Sequence, residues 1–137
     1  MKQHTTNYYD TLITVAADST ALQGTVPPRK VDKLTIANLQ FDLLTQQPDT
    51  FTSDDALFMI FASRQALLAS ELAAARTQFF SKGQPCLRTS PLAKNYGWGI
   101  LFANDGKIRL VDSASPAYQA LLSNTGITKI PAMKSKK

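Results

Sequence analysis

The chain has 137 residues, 44% apolar and 18% charged, with 15 Lys+Arg against 10 Asp+Glu for a net charge of +5. That is the composition of an ordinary globular protein rather than a disordered or fibrous one, and the length suits one domain, residues 1–137, with a core that needs no metal or disulfide scaffold. A single cysteine rules out an internal bridge and a single histidine rules out a His/Cys metal cluster, so no zinc site and no cofactor is expected, while composition does not exclude an oxygen-ligand site for magnesium.

Met1 to Asn7 is polar and lacks the apolar stretch of a signal peptide, and the longest apolar run, Ala56 to Ala62, falls far short of the ~20 residues that span a bilayer. A soluble, cytoplasmic protein without a membrane partner is expected. Tyr9, Thr11, Ile13 and Val15 alternate with Tyr8, Asp10, Leu12 and Thr14, predicting a first strand over Tyr8 to Ala16. Ala17 to Lys33, with Gly24 and Pro27-Pro28, reads as a long loop. Thr35 then caps a helix in which Ile36, Leu39 and Leu43 recur at helical spacing until Pro48. A second start lies at Thr52-Ser53-Asp54-Asp55, where Ser53 can accept an orphan N–H and the two carboxylates suit the positive end of the helix dipole. The run that follows is apolar on every face of a helix, which places the core there.

Leu67 to Phe80 is Ala-rich with helical periodicity and Gly83 beyond its end; whether it is continuous with the preceding helix near Gln65 is left open. Cys86 to Arg88 suits a short strand, and Ser90-Pro91 and Ser115-Pro116 each open a brief helix with Ser as cap and Pro in the first turn. Between them lies a hairpin. A three-residue loop Asn104-Asp105-Gly106 pairs Phe102 with Ile108 and Ile100 with Leu110, turning Trp98 and these apolar residues inward and Leu101, Lys107 and Arg109 outward onto a basic face. Residues from about 128 form a basic, mobile tail, or begin as an edge strand at Thr128-Lys129-Ile130. The fold class is therefore α+β: a small antiparallel sheet, made of the N-terminal strand and the C-terminal hairpin, packed against about four helices.

The blocks His4-Thr5-Thr6-Asn7-Tyr8, Thr52-Ser53-Asp54-Asp55, Phe79 to Arg88, Ser90-Pro91-Leu92, Tyr96-Gly97-Trp98-Gly99 and Ala132 to Lys136 run nearly end to end. Through them the chain resembles an uncharacterised family of small, mostly bacterial proteins known only as a domain of unknown function. It departs from that pattern at the Ala-rich Leu72 to Ala75, where a more acidic helix is expected. The resemblance implies one domain and assigns no catalytic residue or cofactor.

Charge divides the chain unevenly. Residues 1–75 carry five Lys/Arg and eight Asp/Glu, a net −3, whereas residues 76–137 carry ten and two, a net +8. An anionic partner is therefore sought in the second half. Arg88, Thr89, Ser90 and Lys94 surround the helix start at Pro91 and form a candidate anion site. His4, Tyr8, Cys86, Tyr96 and Trp98 form a candidate pocket lining, and Lys107, Arg109, Lys134, Lys136 and Lys137 a basic surface suited to nucleic acid. No Walker loop, dinucleotide fingerprint, nucleophile elbow or HExxH is present. The function expected is a non-catalytic binding module for an anionic ligand, nucleic acid or a phosphorylated metabolite; the alternative is a small enzyme built on Arg88, Cys86, Lys94 and His4.

Overall fold

The computed structural model describes residues 2–135. At its centre runs β1, Thr11–Thr14, whose first three residues are buried because both faces of the sheet are covered. β1 pairs antiparallel with β2, Trp98–Phe102, which pairs antiparallel with β3, Ile108–Asp112; on its other side β1 pairs parallel with β4, Thr128–Pro131. The order β3-β2-β1-β4 makes an α+β fold with a four-stranded mixed sheet. The expected antiparallel pairing thus gains one parallel edge. Its cause is a helix, α5 (Pro116–Ser123), which carries the chain from one edge of the sheet to the other and returns it in the direction of β3. The first strand is shorter than its alternation suggested, because Asp10 adopts a positive φ of 47° and ends it on the N-terminal side.

The hairpin has the expected register: Phe102 opposes Ile108 and Ile100 opposes Leu110, while Gly106 at φ 83° takes the left-handed position that closes the loop. Ile100, Phe102 and Ile108 are fully buried with Ile13, Leu44, Ala56, Leu87 and Ala93. The other face is only partly the basic exterior expected: Lys107 and Arg109 are exposed, but the rest is covered. There Leu12, Leu101 and Val111 meet Tyr118, Leu121 and Ile127 in a second, smaller core beneath α5. Trp98 does turn toward the helices, its ring 5.7 Å from that of Phe41, but it stays half-buried and donates Nε1–H to the Thr25 carbonyl at 2.8 Å.

On the main-core side lie α1 (Ile36–Gln46), α2 (Ser53–Arg64) and α4 (Pro91–Asn95). Thr35 caps α1 in a reciprocal box with Asn38. α2 is capped by Thr52, boxed with Asp55, and not by Ser53, which is buried in the first turn and hydrogen-bonds the Thr6 hydroxyl at 2.8 Å. The helix predicted over Leu67 to Phe80 is separate and shorter. α2 ends at Arg64, Ala66 takes φ 53°, and a 3₁₀ turn at Ala69–Glu71 leads into α3, Leu72–Phe79. Phe58, Phe61, Phe79 and Phe80 pack between α2 and α3. Cys86 to Arg88 is likewise no strand, since Thr89 N–H and Ser90 N–H bond back to Cys86 and Leu87 in a 3₁₀ turn over Leu87–Thr89. The two Ser-Pro starts are found as expected, with Ser90 and Ser115 accepting from Leu92 and Tyr118 N–H.

The segments before β1 and after β4 are both fastened to this frame. The Asp54 carboxylate accepts from Thr5 Oγ1, Thr6 N–H and Thr6 Oγ1, each at 2.7 Å, and Asp54 N–H donates to Asn7. Beyond β4, Ala132 is buried and Ser135 donates its N–H to Asp18. Lys136 and Lys137 lie outside the described residues. No helix is long and apolar enough to cross a membrane among the described residues.

Candidate functional site

Ile60 and Phe61 lie three and four residues after Leu57, and Arg64 lies four and three after them, so the four form a single stripe along α2. Ile36 and Gln40 stand one turn apart on α1. These two faces, Phe79 at the end of α3 and the segment Gln84 to Pro91 enclose a groove of about 500 Å³. Gln84 keeps its segment against α3 by donating Nε2–H to the Phe79 carbonyl at 2.7 Å.

Polar chemistry enters this groove at two depths. At the floor, Ser90 Oγ accepts from Leu92 N–H at 3.2 Å as the cap of α4, so its own hydrogen goes to Gln40 Oε1. That contact fixes the orientation of the Gln40 amide. Gln40 is only 5% exposed, yet its Nε2 donates to no protein acceptor among the described residues. The nitrogen is not sealed in, and since Gln40 lines the groove its free N–H groups open there. At the rim, Arg64 is exposed and has neither an ion-pair nor a hydrogen-bond partner among the described residues. It sits in the last turn of α2, where the helix dipole favours a cation.

The residues singled out from sequence are only partly brought together. Thr89 and Ser90 line the groove, with Thr89 Oγ1 donating to Cys86 O at 2.8 Å. Arg88 turns instead to the end of β4, giving Nε–H to Pro131 O at 2.8 Å while its carbonyl accepts from Met133 N–H. Among the described residues Arg88 pairs with neither Asp54 nor Asp112, as Asp54 holds the N-terminal segment and Asp112 accepts from Gly24 and Ala114 N–H. Lys94 is half-buried on the five-residue α4.

The five candidate pocket residues occupy three places. Tyr8 OH lies 3.5 Å from Cys86 Sγ, and that hydrogen bond, aided by burial and opposed by the Arg88 charge, raises the phenol above its ordinary pKa. His4 is pinned through its backbone to Phe80 O, beside Gly83. Tyr96 and Trp98 hold the Thr25 loop. Of the basic surface, Lys107 and Lys134 are exposed, but Arg109 is paired with Asp49; the contact pulls the Asp49 carboxyl down and raises the guanidinium.

Gln40 and Arg64 were not singled out from sequence, although each carries a signal: a polar residue four positions from both Ile36 and Leu44 on a buried stripe, and a cation continuing the stripe of Leu57 and Ile60.

A mixed sheet with helices on both faces and a groove on the side of α1 and α2 defines an α+β domain with a cleft beside its main core. The chain belongs to the family of unknown function DUF6157, whose model matches residues 3–137. No curated protein and no solved structure matches it.

Proposed function

We propose that this domain is a non-catalytic binding module for a small anionic ligand with apolar bulk, held in the groove between α1, α2, the end of α3 and the turn at Leu87–Thr89. The observation that carries the proposal is the Gln40 amide in the floor, whose Nε2 hydrogens are accepted by no protein group among the described residues. Those N–H groups open into the groove, where an acceptor on a ligand would take the place of solvent, a net gain of about 1 kcal/mol. The groove volume falls within the range of small-molecule sites, its walls are mainly apolar, and Arg64 offers a charge at the rim. Cys86, the nucleophile of the enzymatic alternative, faces a phenol that holds its proton rather than a base.

The test uses anilinonaphthalene sulfonate, an apolar monoanion whose fluorescence rises on binding. Saturation at one molecule per chain at physiological salt is expected, weakened several-fold by Arg64→Gln and unchanged by Lys107→Gln with Lys134→Gln. A labelled single-stranded oligonucleotide bound with a steep salt dependence that needs Lys107 and Lys134, with no saturable dye site, would replace this reading by a nucleic-acid surface.

A further inference from the structure

Resting on that reading of the groove, we infer that its ligand is a monocarboxylic acid carrying a second, uncharged carbonyl within its apolar chain, as in an oxo acid or an N-acyl amino acid. The charge follows from the lining. Arg64 is the one Lys or Arg among the lining residues, and no Asp or Glu accompanies it. One negative charge is therefore matched, whereas a phosphate monoester would bring nearly two. A guanidinium offers a planar fork that fits the two oxygens of a carboxylate.

The carbonyl follows from the floor. Gln40 Oε1 is occupied by the Ser90 hydroxyl, so the amide presents only N–H to the groove. Gln84 Nε2 and Thr89 Oγ1 are already bonded to backbone carbonyls, and the remaining lining amide, Gln65, is exposed next to Arg64 in sequence. The Gln40 position is too enclosed to take the charge itself, because it is 5% exposed and offers an ionised carboxylate only a neutral donor. The acid thus stays at the rim on Arg64, and an uncharged oxygen enters to meet Gln40. Between them Leu57, Ile60 and Phe61 offer apolar contact to the connecting chain.

Titration calorimetry with benzoylpropionate and phenylbutyrate, the same chain with and without the ketone, isolates the carbonyl; phenylbutanol removes the charge. The keto acid is expected to bind the wild-type protein about tenfold more tightly than phenylbutyrate. Gln40→Leu should abolish that difference, and Arg64→Gln should weaken both acids several-fold while leaving phenylbutanol unchanged. Gln40→Leu also removes the Ser90 acceptor; should it not fold, the comparison of the two acids on the wild-type chain decides. Equal affinity for the two acids, or dye binding with no binding of either acid, overturns the ligand class and leaves the groove standing. Failure of the dye and all three probes overturns the groove as well.

Discussion

Asp54 is the point at which the N-terminal segment is held to the rest of the molecule, and its replacement has a calculable cost. Its carboxylate takes three hydrogen bonds, two of them at Oδ1 from Thr6, and Asp54 is 9% exposed. In Asp54→Asn the shape is kept but charge assistance is lost from each bond, about 1 kcal/mol apiece, and the Thr5 hydroxyl must rotate to accept from the new amide; a loss of about 2–3 kcal/mol is expected. Asp54→Ala goes further. It strands the Thr6 N–H and the Ser53–Thr6 hydroxyl pair in a site where Thr6 is buried, for about 4 kcal/mol in all. Urea unfolding reads both as a lower midpoint at unchanged slope. Hydrogen exchange at the Thr6 amide should change from protected to fast in the Ala variant. Losses below about 1 kcal/mol in both variants, with Thr6 still protected, would refute the clamp.

Gly97 has φ +78°, and a Cβ there would lie 2.0 Å from the Gln23 carbonyl oxygen. Gly97→Ala is therefore expected to cost more than ~3 kcal/mol and to move the loop that packs on Trp98, seen as a red shift of tryptophan emission; an unshifted, equally stable variant would remove that contact. Acid should destabilise the protein through Asp55 and Asp49. Burial tends to raise the Asp55 carboxyl, but the Thr52 N–H and hydroxyl and the Arg76 guanidinium outweigh it and leave the group below its ordinary value; Asp49 is lowered by Arg109. Groups depressed in the folded state stabilise above the ordinary carboxylate value of 3.8 and lose that contribution as pH falls through their folded values. The urea midpoint should drop on acidification in that range, and less steeply in Asp55→Asn; an identical slope in the variant would exclude Asp55 from the acid response.

What could be read in the sequence was local. Thr35, Ser90 and Ser115 cap helices because a hydroxyl and the N–H it serves are two or three residues apart, and the hairpin register follows from the alternation on either side of Gly106. The misread positions depend on distant partners. Ser53 and Thr52 are equally suited to cap α2, and Ser53 is drawn away by Thr6, which approaches from the other end of the domain. Arg88 looked like an anion ligand because it precedes a helix start, yet its guanidinium reaches a carbonyl of β4. The parallel edge required knowing that α5 crosses the sheet. The groove was hidden for the same reason, since Gln40 acquires its oriented amide from Ser90, fifty residues further along.

The position of β1 also has a bearing on how the chain acquires its structure. β2 and β3 are joined by a short loop and can pair early, but β1 must wait for partners that follow nearly a hundred residues later, and its outer edge is covered only when β4, close to the last described residues, arrives. During synthesis on the ribosome, that strand emerges more than eighty residues before β2 and more than a hundred before β4, which makes Thr11–Thr14 a segment exposed to pairing with another chain and β4 the strand whose arrival ends the hazard.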